Sequence, residues 1–137
     1  MMLLLDEMNW WTVLVAGVVS MVLGIVWYSP FVFGKLWMKL AGQSEEECKK
    51  TASPAFALMF VWSLLMAFVL SQMVQYSGAI TWLEGIEIAF WIWLGFVAPV
   101  MGASALFEGK PFTLYLIKVG YQLVNILAMS VIVTLWL

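Results

Sequence analysis

Tyr115, Lys118, Gln122 and Asn125 recur at i, i+3, i+7 and i+10 of one apolar stretch. A helix there puts all four on one face. An ammonium and two amides on one side of a membrane helix could line a path for an ion or small solute, because polar groups in a span face the bundle interior or water. The preferred reading is plainer: Lys118 reaches the interface along its methylene stem, and Gln122 and Asn125 hydrogen-bond across to neighbouring helices. Glu108 lies within reach of Lys118 if the helices bearing them are antiparallel. That ion pair could gate, though fastening two helices is the simpler role. Glu84 and Glu87 sit three apart and could form a cation-attracting outer mouth; first-turn acids more commonly complement the helix dipole.

Other residues bear on shape. Pro30 and Pro99 interrupt two apolar runs, and Pro99 deprives the Gly95 carbonyl of its usual donor, so Pro30, Gly95 and Pro99 are expected bends. Ala16, Ser20 and Gly24 make a small-xxx-small face for close helix approach, inside the bundle or between subunits. Met59, Met66 and Met73 at heptad spacing could pass Cu(I), but packing is the better account. The chain has no histidine, no arginine and one cysteine, Cys48. No Ser or Cys therefore has a His to activate it, and no multi-cysteine metal site can form. We expect no catalytic residue, no metal and no cofactor, and hence a protein that is not an enzyme. Six lysines without a basic stripe argue against nucleic acid.

These residues must be positioned by membrane helices. Of the 137 residues, 65% are hydrophobic and 10% charged, with a mean hydropathy of +1.03. Soluble domains carry about 25% charged residues, so membrane lipids are the expected solvent. Apolar runs long enough to span fall at about 9–33, 54–76, 82–106 and 112–136. The fold class is an all-α integral membrane protein, a single domain of four transmembrane helices in an antiparallel bundle. Asn9 is the expected N-cap of the first span, Ser53 with Pro54 opens the second, and Thr81 with Glu84 forms a capping box for the third. Trp10, Trp11, Tyr28, Trp37, Tyr76, Trp82, Tyr115 and Trp136 fall where aromatic belts lie. Lys35, Lys39, Lys49, Lys50, Lys110 and Lys118 all fall on one side, which the positive-inside rule makes cytoplasmic. Both termini then point outward from a multi-pass protein of the cell membrane, expected to be a bacterial inner membrane. In the first loop, about 34–53, KLWMKLAG suits an interfacial helix, and Ser44 with Glu47 opens a short charged one. Phe33-Gly34-Lys35 and Phe107-Glu108-Gly109-Lys110 end the first and third spans alike, which admits a weak 2+2 repeat.

The run Trp27-Tyr28-Ser29-Pro30, then Phe33-Gly34-Lys35 and Trp37-Met38-Lys39, resembles the small bacterial membrane family known as domain of unknown function 1761. Leu106-Phe107-Glu108-Gly109-Lys110-Pro111, Gly120-Tyr121 and the opening Met8-Asn9-Trp10 resemble it too. The resemblance covers nearly the whole chain and implies four spans with no assigned activity. Many relatives are expected to carry His after Gly-Tyr, where this chain has Gln122. The expected role is a non-enzymatic structural, accessory or interaction subunit, in a homo-oligomer or a larger membrane complex. The alternative is a homo-oligomeric channel or small-solute transporter that uses the Tyr115–Asn125 stripe.

Overall fold

Local punctuation decides where this chain turns. A computed structural model describes residues 9–29, 31–42 and 45–135, without the side chains of 45–54. Pro30, Ser44 and Trp136, and the side chains of Glu47, Cys48, Lys49, Lys50, Ser53 and Pro54, lie outside the described residues. Helix α1 spans Trp10–Trp27, and the Asn9 side chain caps it by accepting the Trp11 N–H at 3.1 Å. The helix stops short of the expected residue 33. The Phe33 N–H folds back to the Trp27 carbonyl at 3.0 Å, and the Gly34 N–H to Ser29 at 2.8 Å. Gly34 sits so tightly on the Tyr28 and Ser29 backbone that a Cβ there would collide with it, so the turn requires glycine.

Helix α2, Gly34–Ala41, ends at Gly42 with φ 72°, the left-handed stop that glycine makes readily. Lys35 and Lys39 are exposed while Trp37 and Leu40 are half-buried, as an interfacial helix requires. Helix α3 then runs unbroken over Glu45–Ser77. This corrects the expectation that a short charged helix ends before Ser53 and that Ser53-Pro54 opens a new one. No glycine separates the charged turn from the apolar run. A proline there removes one intrahelical bond, and at the edge of a membrane water can serve the carbonyl left over.

The third span is composite. Helix α4, Trp82–Ile92, is opened by Thr81 and Glu84 in a capping box. A π-helical turn occupies Trp93–Val97, and helix α5 continues over Ala98–Glu108, stopped by Gly109 at φ 66°. Helix α6 covers Phe112–Leu135. Among the described residues, four segments are long and apolar enough to cross a membrane: Trp10–Trp27, Ala55–Ser77, Trp82–Glu108 and Phe112–Leu135. The shortest is 18 residues, about 27 Å at 1.5 Å per residue, close to a hydrocarbon thickness of roughly 30 Å.

Helix α1 pairs with α3 and α4 pairs with α6, and the two hairpins join through α1 on α6 and α3 on α6. Helix α6 is therefore the central post. The two ends of the bundle differ. At the end where α1 begins and α6 finishes, the terminal end, a core forms from Val13 and Ala16 of α1, Ala67, Leu70 and Val74 of α3, Ala89 of α4, and Ile126, Met129 and Val133 of α6. At the opposite end, the lysine end, the Lys110 Nζ donates to the Ala41 carbonyl at 3.5 Å, which draws the first and third loops to one side.

Candidate functional site

The third span grips α6 at one end and leaves it at the other. Near the terminal end Gly85 and Ala89 of α4 are buried against α6. A Cβ on Gly85 would strike the Thr134 hydroxyl and come within 3.2 Å of the Ser130 carbonyl. Ser130 Oγ donates to the Gly85 carbonyl at 2.6 Å, so two helix backbones come together over a serine. Past the π-helical turn no residue of α5 is buried. The turn has a local cause: Pro99 brings no N–H, and the Ala98 N–H donates to the Trp93 carbonyl, five residues back. Trp93 is held in turn, since its indole N–H donates to the Val119 carbonyl of α6 at 3.0 Å. A π-bulge takes up an extra residue and re-aims the helix after it.

The gap between α5 and α6 at the lysine end is a cleft of about 90 Å³ lined by Met101, Ser104, Ala105, Glu108, Lys110, Leu114, Tyr115 and Lys118. The structure thus brings Glu108 and Lys118 to one cleft, but Glu108 accepts from Ser104 Oγ at 3.2 Å. Among the described residues no lysine–carboxylate ion pair closes. The cleft holds two ammonium groups and one carboxylate.

The α6 stripe is divided. Tyr115 and Lys118 line the cleft, and the Tyr115 hydroxyl is already engaged, donating to the Ala98 carbonyl at 2.9 Å. Gln122 is half-buried above them. Asn125 is only 2% exposed, one residue from the terminal-end core, and its Oδ1 has no hydrogen-bond partner. A buried acceptor without a donor is costly in an apolar medium. The four residues share a helix face without sharing one cavity.

Glu84 is tied to its own helix start. Its Oε2 accepts the N–H groups of Ile80 at 2.7 Å and Thr81 at 3.2 Å, while Thr81 Oγ1 accepts the Glu84 N–H at 3.3 Å. Glu87 is exposed one turn on. Ala16, Ser20 and Gly24 face inward within the single chain. Ser20 Oγ shares a hydrogen bond with Ser63 Oγ of α3 at 3.2 Å, and the Tyr121 hydroxyl of α6 donates to the Ser20 carbonyl at 3.0 Å. A Cβ on Gly24 would lie 3.0 Å from that hydroxyl. Gly95 lies within the π-helical turn, open on the side where a Cβ would project.

Sequence reasoning missed two features. Trp27 donates its indole N–H to the Ile117 carbonyl at 3.1 Å, and with Trp93 it fastens the first third of α6. The signal was Gly120, whose vacant Cβ position lies 3.5 Å from the Trp27 ring. The second is on α3, where Ser71 and Gln72 are buried and both side-chain amide atoms of Gln75 lack partners. Two glutamines three apart in an apolar run were the available cue. Among the described residues no group of three or more His, Cys, Asp or Glu side chains comes together.

Comparison with known proteins gives one family: the model described as "Protein of unknown function (DUF1761)" matches residues 11–134. No curated protein and no solved structure matches the chain.

Proposed function

The chain belongs to the DUF1761 family, and from that premise we propose that it acts as a non-enzymatic accessory or interaction subunit of a membrane assembly. The observation that carries this is the third span. It packs mainly on α6 and turns large apolar groups outward along its length, with Trp91 at 61%, Phe96 at 74% and Phe107 at 95% exposure. In a membrane such a face takes lipid tails or another helix. The polar groups support the same reading. Trp27, Trp93, Tyr115, Tyr121 and Ser130 each bond a backbone carbonyl of another helix, which makes them fasteners within the bundle. The test is native mass spectrometry of the protein extracted with its own lipids. A stoichiometric foreign subunit is expected; a chain recovered only as a monomer contradicts the proposal.

A second reading, a homo-oligomeric channel or small-solute transporter, draws on the unpartnered Asn125 Oδ1. A lone acceptor in a span is the kind of group that serves a permeating ion or water. It requires a defined homo-oligomer without other proteins, and solute flux in vesicles that falls with Asn125→Leu. The proposal extends to placement: a bacterial inner membrane, both termini outside, the lysine-bearing loops cytoplasmic by the positive-inside rule. Cys48 then labels only from the cytoplasmic side, and labelling from outside alone reverses the topology.

A further inference from the structure

The cleft between α5 and α6 supports an inference that stands apart from the accessory reading. We propose that it seats the phosphate-bearing headgroup of a net-negative phospholipid, held by Lys110 and Lys118. Both ammonium groups have capacity to spare. Lys110 gives one N–H to the Ala41 carbonyl at 3.5 Å, the long limit of a hydrogen bond, and an ammonium carries three donors. Lys118 is half-buried and, among the described residues, pairs with no carboxylate. The nearby acid, Glu108, already accepts from Ser104 Oγ. The cleft therefore keeps a positive excess, two lysines against one glutamate, where walls of low dielectric strengthen attraction for an anion.

The remaining wall identifies the source of the phosphate. Met101 and Leu114 line the same cleft, so an apolar chain can lie beneath a charged head. The cleft lies along the last turns of the third span, and the end of a helix long enough to cross a bilayer is where acyl chains give way to headgroups. Basic pockets between membrane helices bind anionic headgroups by this combination of charge and apolar wall. A soluble phosphate ion would gain nothing from that wall.

The test uses the full chain in nanodiscs of equimolar phosphatidylglycerol and phosphatidylcholine, with retained lipid read by native mass spectrometry. The wild type is expected to retain phosphatidylglycerol preferentially. Lys110→Gln/Lys118→Gln is expected to lose about thirtyfold in that preference, roughly fivefold for each lysine. Lys35→Gln/Lys39→Gln, on the same side but outside the cleft, leaves the preference in place; an equal fall there means diffuse surface charge and overturns the proposal. Lys110→Arg/Lys118→Arg keeps both charges and is expected to keep the lipid, so a loss confined to the glutamine variant is not misfolding. Unchanged retention in the glutamine variant contradicts the proposal. So does displacement of the lipid by an equal concentration of inorganic phosphate, which would assign the cleft to a soluble ion.

Discussion

The two halves of the third span meet the same helix in opposite ways. Helix α4 lies against α6 with glycine and alanine at the contact, and Ser130 bonds across it. Helix α5, less apolar on average but richer in small residues, buries none of them. Small residues do not separate the halves; the π-helical turn between them does. A turn that accommodates Pro99 also aims the last three turns away from α6, so one sequence feature gives a tight junction at the terminal end and an open cleft at the lysine end. The difference teaches that in an apolar solvent, where hydrophobic burial does not drive helices together, small side chains permit close packing only where the helix is aimed at its partner. Helix α5 carries Gly102, Ala103, Ser104 and Ala105 and accepts a bond from Tyr115, yet buries none of its residues.

The strongest way to break this comparison is to enlarge matched glycines. Gly85→Leu is expected to destabilise the fold by about 3 kcal/mol, the upper range for overpacking, because a Cβ there meets the Ser130 carbonyl, which is backbone. Gly102→Leu meets the Tyr115 side chain, with its hydroxyl at 3.5 Å, an ordinary contact, and is expected to cost little. Reversible unfolding in mixed micelles, followed by circular dichroism, reads both. Equal losses would mean that α5 is packed as tightly as α4. Ser130→Ala removes the 2.6 Å bond to Gly85 and should cost about 1 kcal/mol in the same assay; no loss would leave the small residues alone holding the junction. Trp93→Phe removes the bond to Val119 and is expected to cost about 0.6 kcal/mol, the average for hydrogen bonds between membrane helices. Hydrogen exchange should then rise in α5 but not in α4. Lys118→Ala should fall within about 0.5 kcal/mol of the wild type, because among the described residues no ion pair holds the side chain. Loss of the folded protein would point to a buried partner such as Glu108.

Much of the fold was legible in the sequence because its signals are local. Four apolar runs, the Asn9 cap, the Thr81–Glu84 box and the glycine stop at Gly42 depend on neighbours a few residues away. The continuation of α3 through Ser53-Pro54 was not legible, since a proline marks a helix start and an interrupted helix with the same letters. The site was legible in part. Spacing alone put Tyr115, Lys118, Gln122 and Asn125 on one face of α6. The bend itself was legible at Gly95 and Pro99, but which neighbour each residue meets depends on how the bent span seats on α6, and the Trp93–Val119 bond that seats it joins residues 26 apart in the chain. The small-residue face of α1 could have served a second subunit as well as its own bundle; Ser63 and Tyr121 resolve its partners only once the helices are assembled.

The central claim, tight at the terminal end and open at the lysine end, is tested most directly by single-cysteine accessibility in a Cys48→Ser background. Ala89→Cys and Ala105→Cys place a thiol of the same size on the two halves of the third span, one fully buried in the core and the other lining the cleft. In native membranes a small charged thiol reagent is expected to modify Ala105→Cys readily and to leave Ala89→Cys unmodified until detergent unfolds the chain. Equal protection at both positions, or faster reaction at Ala89→Cys, would contradict it.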